Sequence, residues 1–103
     1  MKRIIDGKRY NTETAEEIAS YETDLGRGNF RHYTESICKT KSGNWFLAGE
    51  GGPMTKYSQP CGDMTGGGED IIPLSSDEAQ RWLESHNETA ALEAHFSDKI
   101  KDA

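Results

Sequence analysis

The chain has 103 residues, of which 33% are apolar, and its 12 Lys plus Arg against 18 Asp plus Glu leave a formal charge of −6. That balance argues against general nucleic-acid binding, because phosphate affinity rests on Lys and Arg releasing counterions. No apolar run approaches the roughly 18 residues of a membrane span, and the opening MKRIIDGKRY holds no apolar stretch of signal-peptide length. The expectation is one cytoplasmic domain over residues 1–103.

Charge is distributed unevenly. Residues 1–9 are basic, whereas 10–26 carry Glu13, Glu16, Glu17, Glu22 and Asp24 with no base. Residues 27–68 are mildly basic, and 69–103 are acidic again, with Asp77, Glu84 and Glu88 among their carboxylates.

Lys2 to Tyr10 mixes β-branched and aromatic residues around Asp6-Gly7, which reads as a tight hairpin or as one kinked strand. Asn11 or Thr12 offers a helix cap. Ala15, Ile18, Ala19 and Glu22 then follow at i, i+3, i+4 and i+7, predicting a helix to about Tyr21 with its glutamates in water. The turn residues Asp24 to Asn29 end it.

Phe30 to Thr40 reads as a strand, Lys41-Ser42-Gly43-Asn44 as a turn, and Trp45 to Ala48 as the returning strand. Trp45 and Leu47 point to one face and Phe46 and Ala48 to the other, so this strand is expected to be central. Residues 49–70 hold seven glycines and two prolines. A structureless loop of that length is uncommon in a compact domain, and a short strand near Met54 to Tyr57 would relieve it.

Asp70 to Leu74 reads as a short strand whose proline suits an edge or a strand end. Ser75 and Glu78 match a capping box, with Leu74 and Ala79 placed as a hydrophobic staple. Ala79, Trp82, Leu83 and His86 mark one helix. Asn87 is placed to end it and to cap a second, carrying Ala91, Leu92, His95 and Phe96. Residues 97–103 are expected to fray. The fold expected is α+β: an antiparallel sheet of three or four strands with helices packed on one face.

No catalytic set emerges. Cys38 and Cys61 lack metal or redox spacing, and with His32, His86 and His95 they match no zinc pattern. Gly66-Gly67-Gly68 is followed by Glu69-Asp70 rather than Lys-Ser/Thr, which argues against a phosphate loop. The rings of Tyr33, Trp45, Phe46, Tyr57 and Trp82 suggest base stacking, but core packing accounts for most of them more simply. Neither a cofactor nor a metal is expected.

The segments KRIIDGKRYNTETAEEIA, SGNWFLAGEGGPMTKYSQPCG and GGGEDIIPLSSDEAQRWLESH resemble a family of small acidic proteins carried on phages, plasmids and integrative elements of bacteria. The resemblance spans roughly residues 2–96 and implies no catalytic residues. In size, acidity and gene setting the chain is similar to anti-CRISPR inhibitors. That similarity implies a monomeric, non-enzymatic inhibitor whose acidic surfaces block the basic DNA-binding groove of a CRISPR effector subunit as a DNA mimic. The contact residues expected are Glu13, Glu16, Glu17, Glu22, Asp24, Asp77, Glu84 and Glu88. The alternative is a regulatory module that recognises a protein partner through the Gly-rich segment 49–70, with Glu50, Met54, Lys56 and Tyr57 as contacts.

Overall fold

A computed structural model describes residues Met1–Ala103. Eight strands precede two helices: β1 (Lys2–Ile5), β2 (Lys8–Asn11), β3 (Glu16–Glu22), β4 (Tyr33–Lys39), β5 (Trp45–Gly51), β6 (Gln59–Cys61), β7 (Met64–Gly66), β8 (Gly68–Leu74), α1 (Ser76–Ser85) and α2 (Thr89–His95). A four-stranded antiparallel sheet in the order β3-β4-β5-β8 forms the frame, with β1-β2 and β6-β7 as separate hairpins. The fold is α+β, as the residue pattern predicts.

The first hairpin turns at Asp6 (φ 52°) and Gly7 (φ 76°), the two positive φ angles that a type I′ turn needs. β5 is central, and its alternation divides the core in two. Trp45 and Leu47 join Ile37, Ala79, Leu83 and Phe96 on the helix side. Phe46 and Ala48 join Cys38, Ile71 and Tyr10 on the other, where the hairpin β1-β2 is the cover. Helices therefore occupy one face alone. Pro73 lies in the edge strand β8, where its missing N–H leaves no gap between strands.

The helix predicted from Thr12 to Tyr21 does not form. The Asn11 side chain does accept an amide hydrogen bond, from Glu13 at 3.0 Å, but it closes one turn rather than opening a helix. The chain then extends as β3 and pairs with β4 from Glu16↔Lys39 to Glu22↔Thr34. A register shift between Glu17 and Ala19 explains the misleading spacing. Ile18 and Ala19 both pack on the helix-side core, whereas Ala15 packs on the opposite one. A bulge adds one residue to a strand and so imitates helical periodicity over a few positions.

Two further expectations change. Met54 to Tyr57 is turn rather than strand, and segment 49–70 instead gains structure from a longer β5 and the hairpin β6-β7. Asn87 does end α1, in a left-handed conformation (φ 55°), but the residue at the N-cap of α2 is Glu88, without a side-chain cap bond. The Ser75–Glu78 capping box forms in both directions, at 2.8 and 3.1 Å. Residues Ser97–Lys99 make a 3-10 turn, and the rest of the tail has no regular structure. No helix is long and apolar enough to cross a membrane.

Candidate functional site

Strand alternation puts Glu35 on the same side of β4 as Ile37, facing the helices, and it is 2% exposed. A buried carboxylate must be bonded to be tolerated. Its Oε1 accepts from Trp82 Nε1 of α1 at 3.1 Å, and its Oε2 accepts from Tyr57 Oη and Lys56 Nζ, both at 2.5 Å. Burial alone would push this carboxyl up, but hydrogen bonds from Lys56, Tyr57 and Trp82 and the Lys56 charge outweigh it and hold the pKa below the usual range. Tyr57 moves the other way, raised by burial first and then by donating to Glu35.

Glycines make room for that network. Gly49 lies opposite Glu35 on β5, and a Cβ there would collide with the Tyr57 ring. Two residues on, a Cβ at Gly51 would collide with Thr55. Residues 52–58 thus lie as a strap over the end of β5, where Gly49 and Gly51 leave that face of the strand bare. The glycine richness of 49–52 serves this close approach.

The opposite face of the same strands is built differently. In register, Glu22 pairs with Thr34, Thr34 with Glu50, and Glu50 with Glu69, so one row crosses all four strands of the sheet. At a strand spacing of about 4.8 Å the row spans about 14 Å. Glu22 meets His32 Nε2 at 2.9 Å, while the Glu50 and Glu69 carboxylates take part in no ion pair. Beside the row opens a cleft of about 430 Å³ lined by Arg27, His32, Glu50, Glu69 and the glycines Gly51, Gly52 and Gly68. Glu50 also borders a second hollow of about 290 Å³, where Glu17, Ser36 and Cys38 are found. The result is a polar, acidic floor on the sheet, bordered on the side of the second hollow by Met1 and Thr12 at the base of the β1-β2 hairpin.

The predicted contact residues divide accordingly. Glu22 and Glu50 enter the acidic row. Glu16 and Glu17 sit on β3 opposite Lys39 and Cys38, on alternate faces, and Glu13 and Asp24 are exposed in the flanking turns. On α1, Asp77 and Glu84 share a face, but Arg81 stands between them and Lys99 approaches Asp77 at 3.5 Å. Glu88 is half-buried at the start of α2. Of the strap residues, Met54 is 57% exposed, Lys56 is held on Glu35, and Tyr57 is 2% exposed and belongs to the core.

Two residues of consequence, Glu35 and Glu69, lie outside the contact set expected from the sequence. A lone Glu in the apolar phase of a strand is a visible signal for the first. The second needs the β5-β8 register, which the residue pattern does not contain. Trp45, Phe46 and Tyr57 are buried and present no stacking surface. The Cys38 thiol is buried and pushed up to about 11 by that burial and by Glu17, a state unsuited to nucleophilic attack, and Cys61 is exposed. No three His, Cys, Asp or Glu side chains converge on a point fit for a metal ion.

The chain is thus an α+β protein with a four-stranded antiparallel sheet, helices on one face and an acidic row on the other. Comparison with family models, curated proteins and solved structures finds no match.

Proposed function

We propose that the chain is a non-enzymatic binding protein, an anti-CRISPR-like inhibitor that sets the acidic sheet face against a basic nucleic-acid groove of a CRISPR effector. The observation that carries this reading is the cross-strand row of Glu22, Glu50 and Glu69. The sheet fixes the backbone spacing of these carboxylates, and complementary fields steer association and suppress wrong partners. The reading differs from an acidic-helix mimic: one acidic segment is strand, and the α1 stripe is interrupted by Arg81. The protein would act in the cytoplasm of the bacterial cell.

The test is capture of purified CRISPR effectors by this chain at low and high salt. Binding is expected to fall steeply with salt. It should be lost in the triple variant Glu22→Lys, Glu50→Lys, Glu69→Lys and kept in Asp77→Lys, Glu84→Lys. Retention of no effector at low salt would sink the proposal, as would capture that the sheet variant leaves intact. A second reading, recognition by the strap, is favoured by the exposed Met54 beside Phe30; Met54→Ala separates the two.

A further inference from the structure

The four-stranded sheet ends in two edges, β8 and β3, and the chain closes only one of them. Hydrogen-bonded pairs recur at every second residue of an antiparallel ladder. The bond from Gly52 N–H to His32 O, at 2.9 Å, sets that alternation: even-numbered residues of β5 turn to β4 and odd-numbered ones to β8. The partners of the odd residues on β8 are even-numbered, so Glu69, Ile71 and Pro73 turn outward. Each of the three is closed from within. Pro73 has no N–H, Ile71 N–H donates to the Asp70 carboxylate at 2.8 Å, and Glu69 O accepts from Gln59 Nε2 at 3.4 Å.

The β3 edge lacks such closure. Thr23 N–H donates to Tyr33 O at 3.1 Å, so the ladder to β4 runs through Tyr21 and Ala19, while Ser20 and Glu22 turn N–H and C=O outward. Residues 20–22 are exposed, and no other strand or loop bonds those groups. An open edge is a template for pairing with another chain, and native proteins normally blunt it.

We propose that β3 is a docking edge for an extended basic segment of a partner protein, which adds as a fifth strand with Lys or Arg on the open face and apolar side chains on the helix face. The charges select this occupant. Residues 10–26 carry five acids and no base. On the open face Ser20 stands between Glu17, which is in no ion pair, and Glu22, which meets His32 alone. A second copy of β3 would set these glutamates against their own kind, whereas a basic strand finds an opposite charge across the pair. On the helix face Ala19 is half-buried, and Tyr21 is 37% exposed with its ring 4.7 Å from that of His86, a shelf for an apolar residue. Strand addition draws affinity from main-chain bonds and specificity from alternate side chains. The irregularity between Glu17 and Ala19 confines the regular edge to residues 19–22, so the segment it takes is short. This edge is a separate surface from the acidic face, with Glu22 alone in common.

The test is a titration of the nitrogen-15-labelled full chain with a capped peptide of alternating Lys and Val, about nine residues long so that it overhangs the edge. Saturable amide shifts should centre on Ser20 and Glu22, with hydrogen exchange at both amides slowed at least about tenfold in the complex. A peptide of alternating Lys and Pro keeps the charge but lacks half of the N–H groups, and should bind at least about tenfold more weakly. Ser20→Pro removes an outward N–H without touching the β4 ladder and should weaken the Lys-Val peptide by a similar factor. Ser20→Lys keeps the N–H and sets a cation against the peptide, for a loss of about threefold. Far-UV circular dichroism verifies that both variants fold. The absence of a saturable shift up to about 1 mM overturns the proposal. So do shifts centred on Glu50 and Glu69, equal binding of the Lys-Pro peptide, or binding that the folded Ser20 variants leave unchanged. No effector enters these measurements, so failure here is distinct from failure of the acidic-face reading.

Discussion

Glu35 and Glu50 lie on adjacent strands, one residue apart in register, yet they live in different media. Glu35 faces the helices, is 2% exposed and accepts from three side chains. Glu50 faces away, is exposed, and has a second carboxylate, Glu69, directly across the strand pair. The alternation of a strand is enough to make one glutamate a structural centre and its neighbour an available surface. Acidity as such is therefore no guide to role in this chain; the phase of the residue on its strand is.

The sharpest way to break the contrast is to remove the buried member. Glu35→Ala leaves the Tyr57 hydroxyl and the Trp82 indole N–H without their acceptor, and Lys56 must turn to solvent. Lys56 is half-exposed and rehydrates easily, so the cost is set by the two buried donors and the lost packing, about 3 kcal/mol. Gly49→Ala attacks the same centre from beneath, forcing the Tyr57 ring off β5 at a cost of about 2 kcal/mol. Urea unfolding followed by tryptophan fluorescence measures both. A loss below about 0.5 kcal/mol in Glu35→Ala, the range of ordinary surface substitutions, would deny Glu35 its central place.

Much of this architecture is legible in the residues, and the failures have physical causes. The strong local signals were reliable: Asp6-Gly7 for a type I′ turn, Ser75 with Glu78 for a cap, and alternation in Trp45 to Ala48 for a central strand. These are contacts within a few residues, where backbone sterics and hydrogen bonding decide the outcome alone. The spacing in β3 imitates a helix because Ile18 and Ala19 mark a bulge, and a bulge becomes visible only beside its partner strand. The acidic row escaped for a related reason. Glu22, Glu50 and Glu69 are 19 to 47 residues apart in sequence, and only pairing register brings them together. The strap shows the same limit from the other side: the glycines of 49–52 are conspicuous in the sequence, but the groups that require their bareness, the Tyr57 ring at Gly49, Thr55 at Gly51 and the Phe30 carbonyl at Gly52, are brought to them only by the fold.

Acid offers a milder test of the same pair. The folded-state pKa of Glu35 is lowered, because bonds from Lys56, Tyr57 and Trp82 outweigh the burial that would raise it. The folded protein therefore holds this proton less readily than the unfolded chain. The stability gained from the ionised group is complete above the unfolded value of about 4.3 and is lost as pH falls through the folded value. Glu78 shares the sign, its pKa lowered by the Ser75 hydrogen bonds. Urea midpoints between pH 7 and pH 3 should therefore fall in the wild type. The fall should be shallower in Glu35→Gln, and shallower still with Glu78→Gln added. An unchanged acid limb in Glu35→Gln would place the acid sensitivity elsewhere.

The smallest effect carries the opposite sign. Glu50 and Glu69 face each other across β5 and β8 with no cation paired to either. Like charges directly opposite on neighbouring strands are destabilising, so neutralising one should help folding slightly. Glu50→Gln and Glu69→Gln are each expected to raise stability by a few tenths of a kcal/mol, with the gain shrinking as salt screens the pair. The double variant should gain less than the sum of the singles, because removing either charge already ends the repulsion. Removing a carboxylate thus weakens the fold on the helix face and strengthens it on the open face. Equal destabilisation by Glu35→Gln and Glu50→Gln would erase that distinction between the two faces.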